Sequence, residues 1–277
     1  MKQALCHISS NAEVMPGIHL MWIEAPDIAA AGRPGQFITV RCGDFPLRRP
    51  FSIHQVGKDN VIAGSDATGT KQPQVAILFK VTGKGTLWLS QREAGERIDI
   101  IGPLGRGFTI PPRSKNLLLV AGGIGLAPLV FLMQQALSQH QITLIHGAST
   151  AVQLYSNSSQ LSTISYQRVQ FIPVTEDGSA GQKGRATDIL PDFLDRADQV
   201  YACGPVGMYK AMTEMSSRAK RSKLKLKKCQ VSLEVRMGCG FGACYGCTID
   251  TKKGLRQVCR DGPVFELDDI IWQEVSL

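Results

Sequence analysis

The sequence predicts a multi-domain chain of the β plus α/β class. It has an antiparallel β-barrel over residues 1–110, a doubly wound parallel α/β domain over 111–236, and a small cysteine-organised unit over 237–277. Three observations predict it. Up to residue 101, short apolar or alternating runs are broken by glycine and proline; beyond 113, strand-like and helix-like runs alternate; and four of the eight cysteines fall within residues 239–259. Short strands punctuated by turn residues describe a small barrel, and strands alternating with helices describe a parallel sheet.

In the first domain the expected strands are residues 19–23, 36–41, 51–56, 74–81 and 97–101. The Pro-rich turn Ile110, Pro111, Pro112, Arg113 marks the boundary. In the second, strands at 116–121, 142–146, 169–174 and 199–203 alternate with helical runs at 126–138, 186–194 and 206–217, and a strand at 229–235 closes the sheet before the cysteines.

Composition bounds the function. Apolar residues at 43% and charged residues at 19% are a globular balance, and 277 residues suffice for two domains with cores of their own. The first ten residues hold no apolar run of signal-peptide character, so the thiols are expected in a reducing cytoplasm. Residues 117–133 are uncharged and mostly apolar, just short of a membrane span, but Gly122, Gly123, Gly125 and Pro128 interrupt them; a strand, a tight turn and a helix start are read there, and no membrane. Of the net charge of +8, seven charges lie in residues 218–228, which read as a solvated helix end or as a docking patch for an acidic partner. With no interleaved aromatic residues for base stacking, nucleic acid is not expected.

The tail carries the most specific pattern. Cys239, Cys244, Cys247 and Cys259 follow the C-x4-C-x2-C...C spacing of a plant-type [2Fe-2S] cluster. Gly240, Gly242 and Gly246 leave room for backbone amides to approach cluster sulfur. Four thiolates could also close a structural zinc site, but the first spacing of four and the apolar, glycine-rich loop disfavour it.

Two phosphate-compatible segments lie in the barrel. Arg49-Pro50-Phe51-Ser52 heads a strand, where an arginine can pair with a pyrophosphate and a serine can hydrogen-bond a flavin nitrogen. Gly83-Lys84-Gly85-Thr86 opens a short helix, whose amides and dipole suit a phosphate. In the second domain, Gly122, Gly123 and Gly125 form a strand-to-helix turn at the carboxyl edge of the sheet, fit for a dinucleotide. Cys203-Gly204-Pro205 marks a second such turn, where Cys203 reads equally as a catalytic contact or a small core residue.

Together these motifs resemble the ferredoxin-NADP reductase superfamily over residues 1 to about 235. The string Ser232-Leu233-Glu234, the cysteine loop, Val258 to Phe265, and the Arg-Arg-Pro-x-Ser-Ile of residues 48–53 are similar, more narrowly, to the electron-transfer subunit of dihydroorotate dehydrogenase B. The resemblance implies FAD held by residues 49–52, by Leu78, Phe79 and Lys80, and by Gly85 and Thr86, with Phe51 against the isoalloxazine ring and Ser52 near its reactive nitrogen. It also implies a cluster on the four cysteines and NAD(H) as co-substrate. Ser52 and Cys203 are the candidate catalytic residues. The implied partner is an FMN-containing catalytic subunit in a heterotetramer of two plus two, with dihydroorotate oxidised on that partner.

A related architecture, the small subunit of an NADH-dependent ferredoxin:NADP oxidoreductase or sulfide dehydrogenase, fits the same motifs with a different electron donor. A redox sensor or scaffold needs no hydride acceptor and fits less well. The strand end His146-Gly147-Ala148-Ser149 supplies neither an acidic residue for a ribose hydroxyl nor an arginine for a 2'-phosphate, a lean toward NAD. Residues 57–73 and the basic run are departures from the family pattern.

Overall fold

A computed structural model describes residues 1–57, 72–155, 168–219 and 228–275. Most of residues 57–73 and of the basic run 218–228 therefore lies outside the described residues. The first domain is a closed barrel of β1 (Lys2–Met15), β2 (Ile18–Glu24), β3 (Phe37–Val40), β4 (Arg49–Gly57), β5 (Gln74–Lys80) and β6 (Arg97–Leu104), in spatial order β1-β2-β5-β4-β3-β6. Every pairing is antiparallel. Two short helices, α1 (Pro26–Ala31) and α2 (Lys84–Ser90), complete it, and Ile28 of α1 is buried in the barrel core.

β1 was not among the expected strands. Its fourteen residues bury only Cys6 and Ile8, because the strand changes partner midway, pairing with β6 over residues 2–7 and with β2 over 8–15. A strand that buries so few side chains shows little of the two-residue apolar alternation by which strands are recognised.

The second domain contains β7 (Asn116–Gly122), α3 (Leu126–Ala136), β8 (Gln141–Ala148), β9 (Val169–Thr175), β10 (Gln182–Lys183), α4 (Ala186–Ile189), α5 (Pro191–Leu194), β11 (Gln199–Cys203), α6 (Val206–Ala219) and β12 (Cys229–Ser232). The expected helical run 186–194 is two short helices, with Pro191 opening the second. The tail contributes β13 (Thr248–Ile249), β14 (Arg256–Gln257), α7 (Val258–Asp261) and β15 (Val264–Glu266). The large sheet has the order β10-β9-β8-β7-β11-β12-β15 and is parallel except at its last pair.

That last pair corrects the expectation that the strand at 229–235 closes the sheet. β12 stops at Ser232, and β15 of the tail pairs beyond it, with Val231 opposite Phe265 and Ser232 opposite Val264. The open edge of β12 needs a partner for its backbone groups, and a three-residue strand after Pro263 is too short to announce itself by periodicity.

Cores cross the domain boundaries. On one face of the sheet, α3 packs with Leu117 and Leu119 of β7 and with Leu20, Trp22 and Leu78 of the barrel, so the barrel and the α/β domain share one apolar interior. On the other face, α6 packs with the tail residues Cys247, Cys259, Leu267 and Trp272, and with Phe37 and Leu104 of the barrel. Trp272 stacks on Tyr209 with ring centroids 4.9 Å apart. Among the described residues, no helix is long and apolar enough to cross a membrane.

Candidate functional site

The two barrel motifs meet. A Cβ built on Gly85 would lie 3.1 Å from Nε of Arg49, so the guanidinium sits directly over the start of α2. Thr86 holds this turn: its hydroxyl accepts from the amides of Thr82 at 2.9 Å and Gly83 at 3.1 Å, and donates to the Gly83 carbonyl at 3.0 Å. The Thr86 side chain is thus committed to shaping the loop, while the glycines at 83 and 85 keep it open.

Strand pairing explains the space beside it. β4 pairs with β3 over residues 49–52 and with β5 only from Ile53 onward. β5 past Ile77 keeps β2 as its partner. The two strands therefore part at Ser52 and Ile53, and residues 49–52 face 78–80 across a slot. Leu78 and Phe79 are buried and Lys80 is exposed, so of the three only Lys80 stands at the surface beside this gap in pairing. Phe51 tilts against Phe79 at 5.6 Å, and His19 stacks on the same ring at 5.5 Å.

The two turns of the second domain also converge. β7 and β11 are neighbours at the point where strand order reverses, where open α/β sheets bind ligands. A Cβ at Gly125 would lie 2.2 Å from the Cys203 carbonyl oxygen, and one at Gly122 would lie 2.7 Å from Pro205. Only glycine allows Gly122 to Gly125 to rest on Cys203-Gly204-Pro205. Gly123 adopts φ +53 with open space beyond it. His146, read in the sequence only as marking a strand end, donates from Nε2 to the Gly123 carbonyl at 3.1 Å. Burial pushes its pKa down to about 4, so the ring is a neutral strut for the turn.

Cys203 is buried, and burial followed by the charge of Glu234 pushes its thiol up to about 12. At neutral pH it presents an uncharged sulfur rather than a base. Tyr209 ties this turn to β12, accepting from the Gly204 amide at 2.9 Å and donating to the Ser232 carbonyl at 2.7 Å.

The four tail cysteines fall in two pairs. The Cys239 amide points at the Cys244 sulfur at 3.4 Å, and the Ala243 amide at the Cys239 sulfur at 3.2 Å. On the inner side, the Cys259 amide points at the Cys247 sulfur at 3.4 Å. Burial opposes the Cys239 thiolate, but the amides of Phe241, Cys244 and Ala243 and the Cys244 thiol outweigh it and bring the group down to about 6. Cys259 is pushed up to about 12 by burial and by its neighbours Cys247 and Cys239. Among the described residues, no three His, Cys, Asp or Glu side chains gather around a single metal point. Two pairs of thiols with amides aimed at sulfur are the donor set that would hold a [2Fe-2S] cluster.

Backbone geometry requires the loop glycines. Gly240 at φ +82 and Gly242 at φ +95 occupy the left-handed region, and a Cβ on Gly240 would lie 2.8 Å from the Thr39 methyl. That contact seats the cysteine loop on β3, where Phe37 lies directly opposite Ser52 of β4. The inner thiols lie in the same core as Phe37, whereas Cys244 is exposed together with Phe241 and Tyr245.

Residues 234–271 match the family model described as the iron-sulfur cluster binding domain of dihydroorotate dehydrogenase B, and residues 119–214 match the oxidoreductase NAD-binding domain. The dihydroorotate dehydrogenase B (NAD(+)) electron transfer subunit of Desulforamulus reducens is 36% identical over 270 residues, covering 94% of this chain and 95% of the relative. The chain belongs to this family. The Streptococcus mutans member is 33% identical over 276 residues, with 95% and 96% covered. Among solved structures, an NADH-dependent reduced ferredoxin-NADP oxidoreductase, described in the context of flavin-based electron bifurcation, matches at 27% identity and a TM-score of 0.78, over 98% of this chain and 91% of that one. A Neisseria gonorrhoeae ferredoxin NADP+ reductase with bound FAD and NADP shares the fold, at 18% identity and a TM-score of 0.61 over 81% and 96%.

For an electron transfer subunit of dihydroorotate dehydrogenase B, three features of this chain can hold cofactors. They are the Arg49–Gly85 contact beside the β4–β5 slot, the double glycine turn at the head of β7 and β11, and the paired thiols of the tail. Gly83 and Gly123 have open space where a Cβ would stand, whereas Gly85 and Gly125 let Arg49 and the Cys203 backbone pack onto their turns.

Proposed function

We propose that this chain is the electron transfer subunit of an NAD-dependent dihydroorotate dehydrogenase, working in the cytoplasm with an FMN-containing catalytic subunit in a two-plus-two heterotetramer. The observation that carries the proposal is near full-length identity of 36% to a family member, including the cysteine loop. A flavin exchanges one electron or two and so joins a one-electron cluster to the two-electron nicotinamide.

The chain's own residues do the rest. Arg49 and the α2 turn bind the pyrophosphate of FAD, with residues 49–52 and 78–80 lining the ring and Ser52 orienting it. Gly122, Gly123, Gly125, Gly204 and Pro205 give the NAD phosphates and nicotinamide a close backbone approach, and Cys203 holds an uncharged sulfur against that site. Cys239, Cys244, Cys247 and Cys259 ligate the [2Fe-2S] cluster. Phe241 and Tyr245, exposed beside Cys244, supply the partner-facing rim. The chain is read in three parts, 1–110, 111–236 and 237–277, for FAD, NAD and cluster.

The test is metal, sulfide and flavin quantitation on anaerobically purified protein, followed by NAD reduction from dihydroorotate with and without the catalytic subunit. Flavin with two irons and two sulfides, and dihydroorotate-dependent turnover only with the partner, is expected. Zinc in place of iron, or no flavin, would overturn the proposal. The 27% identity to the ferredoxin-NADP oxidoreductase over nearly the whole chain favours a second reading, in which ferredoxin is the redox partner. NADP reduction coupled to ferredoxin, with no response to dihydroorotate and its catalytic subunit, would select it.

A further inference from the structure

Two cofactor elements that must act on one another are bolted together by side chains outside every motif above. His54 lies two residues beyond Ser52 on β4 and is completely buried. Its Nδ1 donates to the carbonyl of Ala127 at 3.0 Å, and Ala127 follows Gly125 by two residues in the first turn of α3. Its Nε2 accepts from the hydroxyl of Tyr155 at 3.1 Å, and the Tyr155 ring meets the imidazole edge-on at 5.5 Å. Farther along the same pair of elements, beyond the reach of β3, Gln134 of α3 takes both backbone groups of Val56. Its Oε1 accepts the Val56 amide at 3.2 Å, and its Nε2 donates to the Val56 carbonyl at 2.6 Å. A side-chain amide thus stands in for a neighbouring strand. β4 is thereby tied to α3 at two points, one at each end of the contact, and α3 begins at the glycine turn.

We propose that His54, with Tyr155 and Gln134, forms a clamp that sets the separation between the flavin-binding strand and the nicotinamide turn. These are positioning residues for hydride transfer between the two cofactors. The inference rests on the assignment of flavin to β4 and of nicotinamide to the glycine turn made under Proposed function. Apolar packing alone, here through Leu78, Leu126 and Leu129, tolerates sliding of one element over another, whereas directional hydrogen bonds fix register. Hydride transfer needs that register, because a misplacement of about 1 Å costs on the order of a hundredfold in rate.

The experiment uses the flavin-loaded chain in single-turnover reduction by NADH, followed by flavin absorbance over a range of NADH concentrations. Tyr155→Phe removes the hydroxyl that donates to His54, His54→Asn keeps a donor for Ala127, Gln134→Leu removes the far tie, and His54→Leu removes both imidazole bonds. The limiting reduction rate is expected to fall least for Tyr155→Phe and His54→Asn and about tenfold for His54→Leu, with NADH affinity changed less than about twofold. Hydrogen exchange of the amides from residues 125 to 131 is expected to quicken in the same order. Met212→Ala, in the core on the opposite face of the sheet, is the control for lost stability and should lower the melting temperature with the limiting rate kept. Unchanged limiting rates, or a rate loss in Met212→Ala equal to that in His54→Leu, would overturn the clamp. A parent chain that carries no flavin would overturn the proposed function instead.

Discussion

Lowering the pH should destabilise the native chain through two buried histidines, and the size of the effect follows from their environments. His54 and His146 are each pulled down to about 4 by burial, against the usual 6.5, even though each holds a backbone carbonyl that works the other way. Between those values the unfolded chain takes up protons that the folded chain refuses. The stability from neutral burial is therefore complete above 6.5 and is lost as pH falls toward 4. At about 1.4 kcal/mol per pH unit, each imidazole accounts for roughly 2 kcal/mol of destabilisation between pH 8 and pH 5. Glu266 runs the other way: burial, then the charge of Asp269, raise its pKa, so its contribution is present at low pH and lost as pH rises. Comparing variants separates these terms. Urea unfolding of the parent and of His146→Gln at the two pH values should show a drop smaller by about 2 kcal/mol in the variant. Equal drops, or a His146 ring that titrates near 6.5 by NMR in the folded chain, would refute the reasoning.

Three further outcomes follow from the site. Gly125→Ala drives a Cβ into the Cys203 carbonyl at 2.2 Å, where neither backbone can yield; NADH-dependent flavin reduction should collapse, and the melting temperature should fall by an amount equivalent to about 1–3 kcal/mol. Arg49→Ala removes a charged partner for pyrophosphate, so FAD affinity measured by fluorescence should weaken about 10–100-fold, in line with about 1.5–3 kcal/mol for a charged hydrogen bond. Cys259→Ser should cost the cluster absorbance and partner-dependent dihydroorotate oxidation, while NADH oxidation with artificial acceptors continues.

Much of this architecture was legible because its signals are local. The glycine turn at 122–125 and the cysteine spacing carry their chemistry in consecutive residues, and a buried parallel strand such as β7 reads as a continuous apolar run. Elements whose existence depends on distant partners were not legible. β1 is polar along much of its length and is a strand because β6 and β2 each claim half of it. β15 is three residues that acquire meaning only beside β12. The same holds for side chains: nothing near His54, Gln134 or His146 in sequence indicates that they bond across domains or brace a turn. Sequence reading placed Arg49 and Gly85, or Gly125 and Cys203, at the same kind of site by type of residue; only the fold brings their atoms within touching distance.

The way the tail is stitched into the sheet also governs how the protein is assembled. The ligand loop leaves from the end of β12 and returns as β15 on the adjacent ladder position, with Trp272 and Leu267 seated behind it. Both ends of the loop are thus anchored by packing and backbone pairing that need no iron. In small zinc-folded modules the metal must supply the folding free energy, because nothing else closes the loop. Here loop closure is met in part by the polypeptide, so iron-free protein is expected to keep the far-ultraviolet circular dichroism of the loaded protein. The half-buried Cys239 and the exposed Cys244 stand on the outer side of the loop, and the buried Cys247 and Cys259 on its inner side.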